Sequence, residues 1–194
     1  MSSREPTAEE IVSRVKIQAR IRDAVVAQMA EQTTEELSAI AGETSGDTIY
    51  AIDRVSEDLI RELFAEAFKD TTIVVVGEGL ADAGEVFPEG KSAEDASYRM
   101  IVDPIDGTRG LMYDKRSAWV LTGVAANRGA DTCLADIFAA VQTEIPTSKQ
   151  YRADVLSAIR AKGRKPLVSM SFGVSKFRFS SPLQSPTRSN TALQ

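Results

Sequence analysis

The 194-residue sequence contains no histidine, which removes several catalytic possibilities at once. Serine–histidine–aspartate triads, phosphohistidine phosphatases and histidine-ligated zinc sites all need an imidazole group. Cys133 also lacks the arginine six positions later that a cysteine phosphatase uses, because Ala139 stands there. Any hydrolytic chemistry must therefore depend on carboxylates, hydroxyls, backbone amides and a hard metal ion.

Cysteines and long apolar runs are scarce as well. Cys133 is the only cysteine, so no internal disulfide can form, and a reducing cytoplasm is the expected compartment. The chain has no run of about 18 apolar residues, and residues 1–10 are polar and acidic. We therefore expect neither a membrane-spanning segment nor a signal peptide.

Charge is unevenly distributed along the chain. Residues 1–154 hold 28 acidic and 16 basic residues, a net of −12, whereas residues 155–194 hold seven basic residues and no acidic one. Because phosphate backbones need cationic partners, the acidic body argues against nucleic-acid binding. From Phe177 onward serine, proline, threonine, glutamine and asparagine dominate. The predicted division is therefore a domain over residues 1–166 and a disordered or aberrant tail over residues 167–194.

Apolar periodicity predicts an alternation of helices and strands in the first domain. Thr7 followed by Glu10 is typical of a capping box at the start of the first helix. Ile73–Val76 is a short β-branched run of the kind found in buried strands. The pattern predicts helices over 7–31, 48–69 and 151–162, a helix or helical turn over 33–40, strands over 73–76, 98–102, 118–126 and 134–142, and loops over 41–47 and 81–96.

Two of the predicted strands lead into acidic residues. The strand over 73–76 is followed by Glu78, and the strand over 98–102 leads directly into Asp103. Loops at strand ends are where side chains can converge on a ligand while a rigid sheet fixes their positions. Glu78 and Asp103 are therefore candidates for one site.

Asp103 and Asp106 lie three residues apart across Pro104. Proline fixes its own φ and restricts the residue before it, so we expect a sharp turn that lets both carboxylates and the Ile105 carbonyl face one point. Clustered carboxylates repel each other unless a cation lies among them. An all-oxygen set without histidine favours Mg²⁺ over zinc.

Gly107 and Thr108 follow this cluster directly. Glycine permits close approach of the backbone, and amides at the start of a helix can bind a phosphate. A metal site and a phosphate site would then adjoin within six residues, as hydrolysis of a phosphate ester by a metal-bound water requires.

The segment from Ile101 to Thr108, IVDPIDGT, resembles the signature of the inositol monophosphatase and fructose-1,6-bisphosphatase superfamily. In that signature an apolar strand precedes D-P-I/L-D-G/S-T. Two upstream features follow the order of the family: Asp53, in the predicted second helix, and Val76-Gly77-Glu78, which resembles the strand end V/I-G-E-E. The resemblance covers residues 45–142. It implies an α+β fold, a layered α/β sandwich whose mixed or antiparallel sheet is packed by two long helices.

The resemblance also implies roles for individual residues. Glu78, Asp103 and the Ile105 carbonyl would bind a first Mg²⁺ that activates the attacking water, and Asp103 and Asp106 would hold a second ion. Thr108, with Asp53, would orient or deprotonate the water, and the backbone amides of Gly107 and Thr108 would hold the phosphate. The implied function is hydrolysis of a small phosphorylated metabolite, such as inositol monophosphate or a related sugar phosphate.

The sequence departs from the family pattern in two places. Gly79 stands where the family has a second glutamate, which removes a peripheral carboxylate. The family's downstream W-D-x-A-A/G segment, whose aspartate completes the second metal site and touches the substrate, is absent, and no acidic residue follows Asp154. We therefore expect the chain to lack the substrate-selecting half of the family fold, as a C-terminally truncated form would.

Two other interpretations are open. A haloacid-dehalogenase-type phosphatase has D-x-D-G-T after an apolar strand, but its aspartates are two residues apart and lie near the start of the chain. The other interpretation is a catalytically impaired metal-binding fragment that pairs with a second copy of itself, as a homodimer, or with another chain. Exposed apolar faces would favour such association.

Overall fold

A computed structural model describes residues 6–37, 40–43, 48–160 and 168–176. Its helices are α1 (Ala8–Val15), α2 (Gln18–Glu31), α3 (Thr34–Leu37), α4 (Ala51–Ala67) and α5 (Thr108–Met112). Its strands are β1 (Ile40–Glu43), β2 (Thr48–Tyr50), β3 (Ile73–Gly77), β4 (Glu85–Phe87), β5 (Tyr98–Asp106), β6 (Ala118–Ala126), β7 (Ile137–Ile145), β8 (Arg152–Arg160) and β9 (Val168–Lys176).

The amino-terminal helix begins at the predicted capping box. The Glu10 amide donates to the Thr7 hydroxyl at 3.2 Å, and the Thr7 amide donates to the Glu10 carboxylate at 2.7 Å. The predicted single helix over 7–31 is interrupted after Val15, and α2 starts at Gln18. The buried face of α1 is apolar, whereas α2 buries Gln18 and Arg22 beside Ile21, Val25 and Val26.

Seven strands form one mixed sheet in the order β4-β3-β5-β6-β7-β8-β9. The β3–β5 pair is parallel, and the other pairs of this sheet are antiparallel. Residues of α1, α2 and α4 join the buried residues of β3, β5, β6 and β7 in one core. The predicted α+β class, with a mixed sheet packed by helices, is confirmed.

Side chains of β5 alternate between the two faces of the sheet. Tyr98, Met100 and Val102 are buried in the core beneath the helices, whereas Ile101 is 43% exposed. Because strand side chains alternate, Asp103 lies on the same face as Ile101. This open face continues across the sheet, since a side chain on Gly123 would meet those of Ile101 and Ile137.

Several sequence-based boundaries were wrong. Residues 151–162 were predicted as a helix, but β8 occupies Arg152–Arg160 and pairs with β7. The 41–47 loop prediction overlaps β1, while 44–47 lie outside the described residues. Residues 168–176 of the predicted tail form β9, paired with β8. The apolar spacing of short segments can fit either a helix or a strand. Pairing with strands that are distant in sequence then decides which of the two forms.

None of the described helices combines the length and the apolar character needed to cross a bilayer.

Candidate metal and phosphate site

The parallel pairing of β3 and β5 brings the two predicted acidic strand ends to one edge of the sheet. The register runs from Ile73 opposite Tyr98 to Gly77 opposite Val102. Glu78 follows Gly77 and Asp103 follows Val102, so both residues lie at the same edge of the sheet. Glu78 is exposed and Asp103 is half-buried. Parallel pairing therefore gives a structural reason for two acidic residues 25 positions apart in sequence to adjoin.

The Asp103–Asp106 segment is a bulge within β5, and the predicted sharp turn at Pro104 does not occur. Asp103 pairs with Leu121 and Asp106 pairs with Trp119, so β5 has one residue more than β6 between these points. Proline is tolerated at a bulge because the ladder needs no donor there. Bulges re-aim side chains next to active sites.

Hydrogen bonds within the bulge join three predicted site residues. The Ile105 amide donates to the Asp103 carboxylate at 3.1 Å, so this carboxylate is turned toward the bulge. The Thr108 hydroxyl donates to the Ile105 carbonyl at 2.8 Å. The structure therefore brings Asp103, Ile105 and Thr108 into one local network, while Asp106 is exposed beside it.

Gly107 is the cap between β5 and α5. Its φ is +98°, in the left-handed region, which β-carbon-bearing residues rarely adopt. This conformation lets the chain leave an extended strand and start a helix within one residue. Gly107 and Thr108, predicted to bind phosphate through their amides, thus occupy the start of α5.

Asp114 is a residue of this region that the sequence did not single out. It has a positive φ of 52°, and its carboxylate accepts hydrogen bonds from the Ser148 amide at 2.8 Å and the Ser148 hydroxyl at 2.7 Å. These contacts tie the end of α5 to the β7–β8 connection. An aspartate in a polar segment gives no sequence signal of such a long-range contact, since aspartates are common in turns.

Asp53 lies near the start of α4, but its side chain is outside the described part of the structure. Among the side chains that are described, no group of three or more acidic, cysteine or histidine residues is close enough to hold a metal ion. The predicted ligands Glu78, Asp103 and Asp106 are all described, so the structure does not gather the three carboxylates into one such group. With the Ile105 carbonyl, this donor set consists of oxygens alone and suits a hard cation in its chemistry.

The sequence model of the inositol monophosphatase family matches residues 7–188 of this chain. The match extends beyond residue 166, into the part predicted to be a tail. It favours the hypothesis based on the IVDPIDGT segment over the haloacid-dehalogenase alternative. No curated protein sequence matches the chain significantly.

Three solved structures illustrate the similarity of the fold. The holo form of Leishmania major fructose-1,6-bisphosphatase gives a TM-score of 0.56 at 11% identity, covering 90% of this chain and 56% of that chain. Extragenic suppressor protein suhB from Bartonella henselae gives 0.54 at 21% identity, covering 89% and 55%. Staphylococcal inositol monophosphatase-1, in an inhibitory complex soaked in LiCl, gives 0.52 at 14% identity, covering 85% and 52%. The chain spans about half the length of these structures.

Proposed function

Because this chain belongs to the inositol monophosphatase family, we propose that it is a Mg²⁺-dependent phosphomonoesterase that acts on a small phosphorylated metabolite. One observation carries the proposal: the bulge from Asp103 to Asp106 leads through a left-handed Gly107 directly into α5. Carboxylates and helix-start amides, the groups that suit a hard cation and a phosphate, thereby adjoin.

The proposed ligands of Mg²⁺ are Glu78, Asp103, the Ile105 carbonyl and Asp106. When bound, the ion would supply a Lewis acid that stabilises negative charge on the phosphoryl group and lowers the pKa of water. The exposure of Glu78 and Asp106 supports access from solvent, and the hydrogen bond from the Ile105 amide supports a fixed direction for the half-buried Asp103 carboxylate.

Other groups of the chain would handle the phosphate and the proton. The Gly107 and Thr108 amides, at the start of α5, are the proposed phosphate donors. Because the Thr108 hydroxyl donates its hydrogen bond to the Ile105 carbonyl, its oxygen is left to accept a hydrogen bond from a water molecule and so orient it. Asp53 is the proposed partner of Thr108 in orienting or deprotonating that water.

The proposed substrate class is a phosphomonoester such as inositol monophosphate or a related sugar phosphate. Inhibition by Li⁺ is a corollary, by analogy with the LiCl-soaked staphylococcal structure. The cytoplasm is the proposed compartment, on the basis of the single cysteine.

An assay of the purified chain with Mg²⁺ and a panel of phosphomonoesters tests the proposal. We expect Mg²⁺-dependent turnover, and we expect Asp106→Asn to lower kcat/KM by more than the roughly 10–100-fold that loss of an outer-shell partner costs. Asp131→Asn, an exposed aspartate in the β6–β7 connection, is the matched control and should retain activity. Turnover that does not depend on Mg²⁺, or an Asp106→Asn protein as active as the parent, would contradict the proposal.

A catalytically impaired metal-binding protein is the second candidate. It is favoured by the described side chains, among which no group of three or more acidic residues is close enough to hold a metal ion. Mg²⁺ binding that is lost in Asp106→Asn, together with no turnover of any phosphomonoester, is the outcome that would identify it.

A further inference from the structure

Arg61, on α4, joins three parts of the structure through its guanidinium group. Its Nη2 donates to the Gly79 carbonyl at 2.9 Å and to a Glu85 carboxylate oxygen at 2.9 Å, and its Nε donates to the other Glu85 oxygen at 3.0 Å. Glu85 is the first residue of β4. The bidentate contact fixes the plane of the guanidinium and thereby directs a second N–H of Nη2 at the Gly79 carbonyl.

The Gly79 carbonyl belongs to the turn that carries Glu78. The Leu80 amide donates to the Gly77 carbonyl at 3.2 Å, which closes a four-residue turn with Glu78 and Gly79 at its centre. Gly79 has a φ of +75°, as the third position of a type II turn requires. The glycine that replaces the second glutamate of the family pattern thus provides the conformation of this turn.

Glu78 is consequently held from both sides. On its amino-terminal side, Gly77 is so close to β5 that a β-carbon there would collide with the Val102 carbonyl. On its carboxyl-terminal side, the Gly79 peptide is bound by Arg61. The backbone on either side of Glu78 is therefore fixed in part by a contact made by a different element, α4.

We propose that Arg61 is a positioning residue that sets the direction of Glu78 toward the carboxylates of the β5 bulge and so raises the affinity of the site for Mg²⁺. The inference rests on the proposed function, since it assumes that Glu78 is a ligand. Mg²⁺ demands near-ideal octahedral geometry, so a displaced carboxylate lowers affinity. The Arg61 and Glu85 side chains are 39% and 23% exposed, so a change in fold stability has to be measured separately from a change in Mg²⁺ affinity.

Calorimetric titration of the full chain with Mg²⁺ tests this role, with thermal unfolding measured in parallel. We expect Arg61→Gln to weaken Mg²⁺ binding by about 10-fold or more, the loss typical of groups that orient metal ligands. Arg61→Lys keeps the charge but loses the planar set of N–H donors, so its affinity for Mg²⁺ should be intermediate. Arg20→Gln is the matched control: it removes the Arg20–Glu66 contact of 2.7 Å, also made with α4, and should leave Mg²⁺ affinity unchanged.

A double substitution separates positioning from a general structural effect. If Arg61 acts through Glu78, Arg61→Gln should weaken Mg²⁺ binding in the parent but have no further effect in a Glu78→Gln protein. Additive losses in the two backgrounds would overturn the proposal, as would an Arg61→Gln protein that binds Mg²⁺ like the parent. Should Arg61→Gln fail to fold, the same comparison made with Arg61→Lys decides.

Failure of the proposed function gives a different result. In that case the parent protein itself shows no Mg²⁺ binding that depends on Asp106. The proposed role of Arg61 is then overturned as well. Asp106-dependent binding in the parent combined with unchanged binding in both Arg61 variants overturns the role of Arg61 alone.

Discussion

At the scale of single residues, the candidate site depends on backbone conformations as much as on charged groups. Gly107 and Gly79 both have positive φ values, and each lies next to a proposed functional residue. Gly107 starts α5 before Thr108, and Gly79 follows Glu78 in the β3–β4 turn. Each glycine therefore fixes where its neighbour lies.

Substitution of Gly107 tests how closely activity depends on this geometry. We expect Gly107→Ala to destabilise the protein by about 1–2 kcal/mol, the cost of a left-handed residue with a β-carbon. Its β-carbon would have room, with the nearest atom 3.7 Å away, so strain and displacement of the Thr108 amide are the expected effects. Urea denaturation gives the stability, and the phosphatase assay gives kcat/KM.

Gly129→Ala is the matched control for this experiment. Gly129 also has a positive φ, of 60°, and open space around its α-carbon, but it lies in the β6–β7 connection. Both substitutions should cost similar stability, whereas only Gly107→Ala should lower activity. Equal activity in the two proteins would argue against a role of the α5 start in phosphate binding.

Individual residues show which parts of the candidate site can be predicted from the sequence. Asp103, Asp106 and Thr108 could be proposed as site residues because a short motif specifies their spacing. The structure replaced the expected turn at Pro104 by a bulge, because the extra residue can be seen only against the partner strand β6. The contact of Arg61 with Gly79 joins residues 18 positions apart, and no local pattern encodes it.

At the scale of elements, a buried polar network fastens α2 to the sheet. The side-chain amide nitrogen of Gln18 donates to the Thr122 hydroxyl at 2.6 Å, and the Thr143 hydroxyl donates to the side-chain oxygen of Gln18 at 2.9 Å. Gln18 is 1% exposed. Sequence periodicity did not identify it, because glutamine side chains are mostly exposed. Long-range hydrogen bonding is therefore what explains its burial.

Loss of this network should be costly. Gln18→Leu leaves two buried hydroxyls without their partner, and we expect the free energy of unfolding to fall by about 1–3 kcal/mol. Gln32→Leu, at the exposed end of α2, should change it by less than about 0.5 kcal/mol. Chemical denaturation measures both values.

A triple variant provides the complementary measurement. Adding Thr122→Val and Thr143→Val to Gln18→Leu removes the two hydroxyls that had lost their hydrogen-bond partner. This should recover much of the lost stability. A triple variant less stable than Gln18→Leu alone would show that packing at these positions outweighs hydrogen bonding.

At the scale of the whole molecule, the sheet is covered by helices on one face and bears an apolar area on the other. The residues Val76, Ile101, Gly123, Leu134 and Ile137 line a cavity of about 320 Å³ on this open face. Leu134 is 71% exposed. Exposed apolar patches of this kind favour association, and a homodimer is the form of association that we propose.

Sedimentation velocity over a range of protein concentrations tests self-association. We expect the sedimentation coefficient of the parent to rise with concentration, and we expect Ile101→Lys combined with Leu134→Lys to suppress that rise, because lysine opposes burial of the patch. Tyr151→Lys, at a residue that is 67% exposed in the β7–β8 connection, is the control and should associate like the parent. A parent that sediments as a monomer at every concentration would contradict the expectation.

The alternation of β5 has a consequence for the relation between association and ion binding. Ile101 and Asp103 are two positions apart on one face, so any body that covers the first lies beside the second. We therefore expect occupancy of the apolar face to affect binding at the proposed Mg²⁺ site. By reciprocity, whatever free energy a covering partner adds to Mg²⁺ binding, Mg²⁺ adds to the binding of that partner.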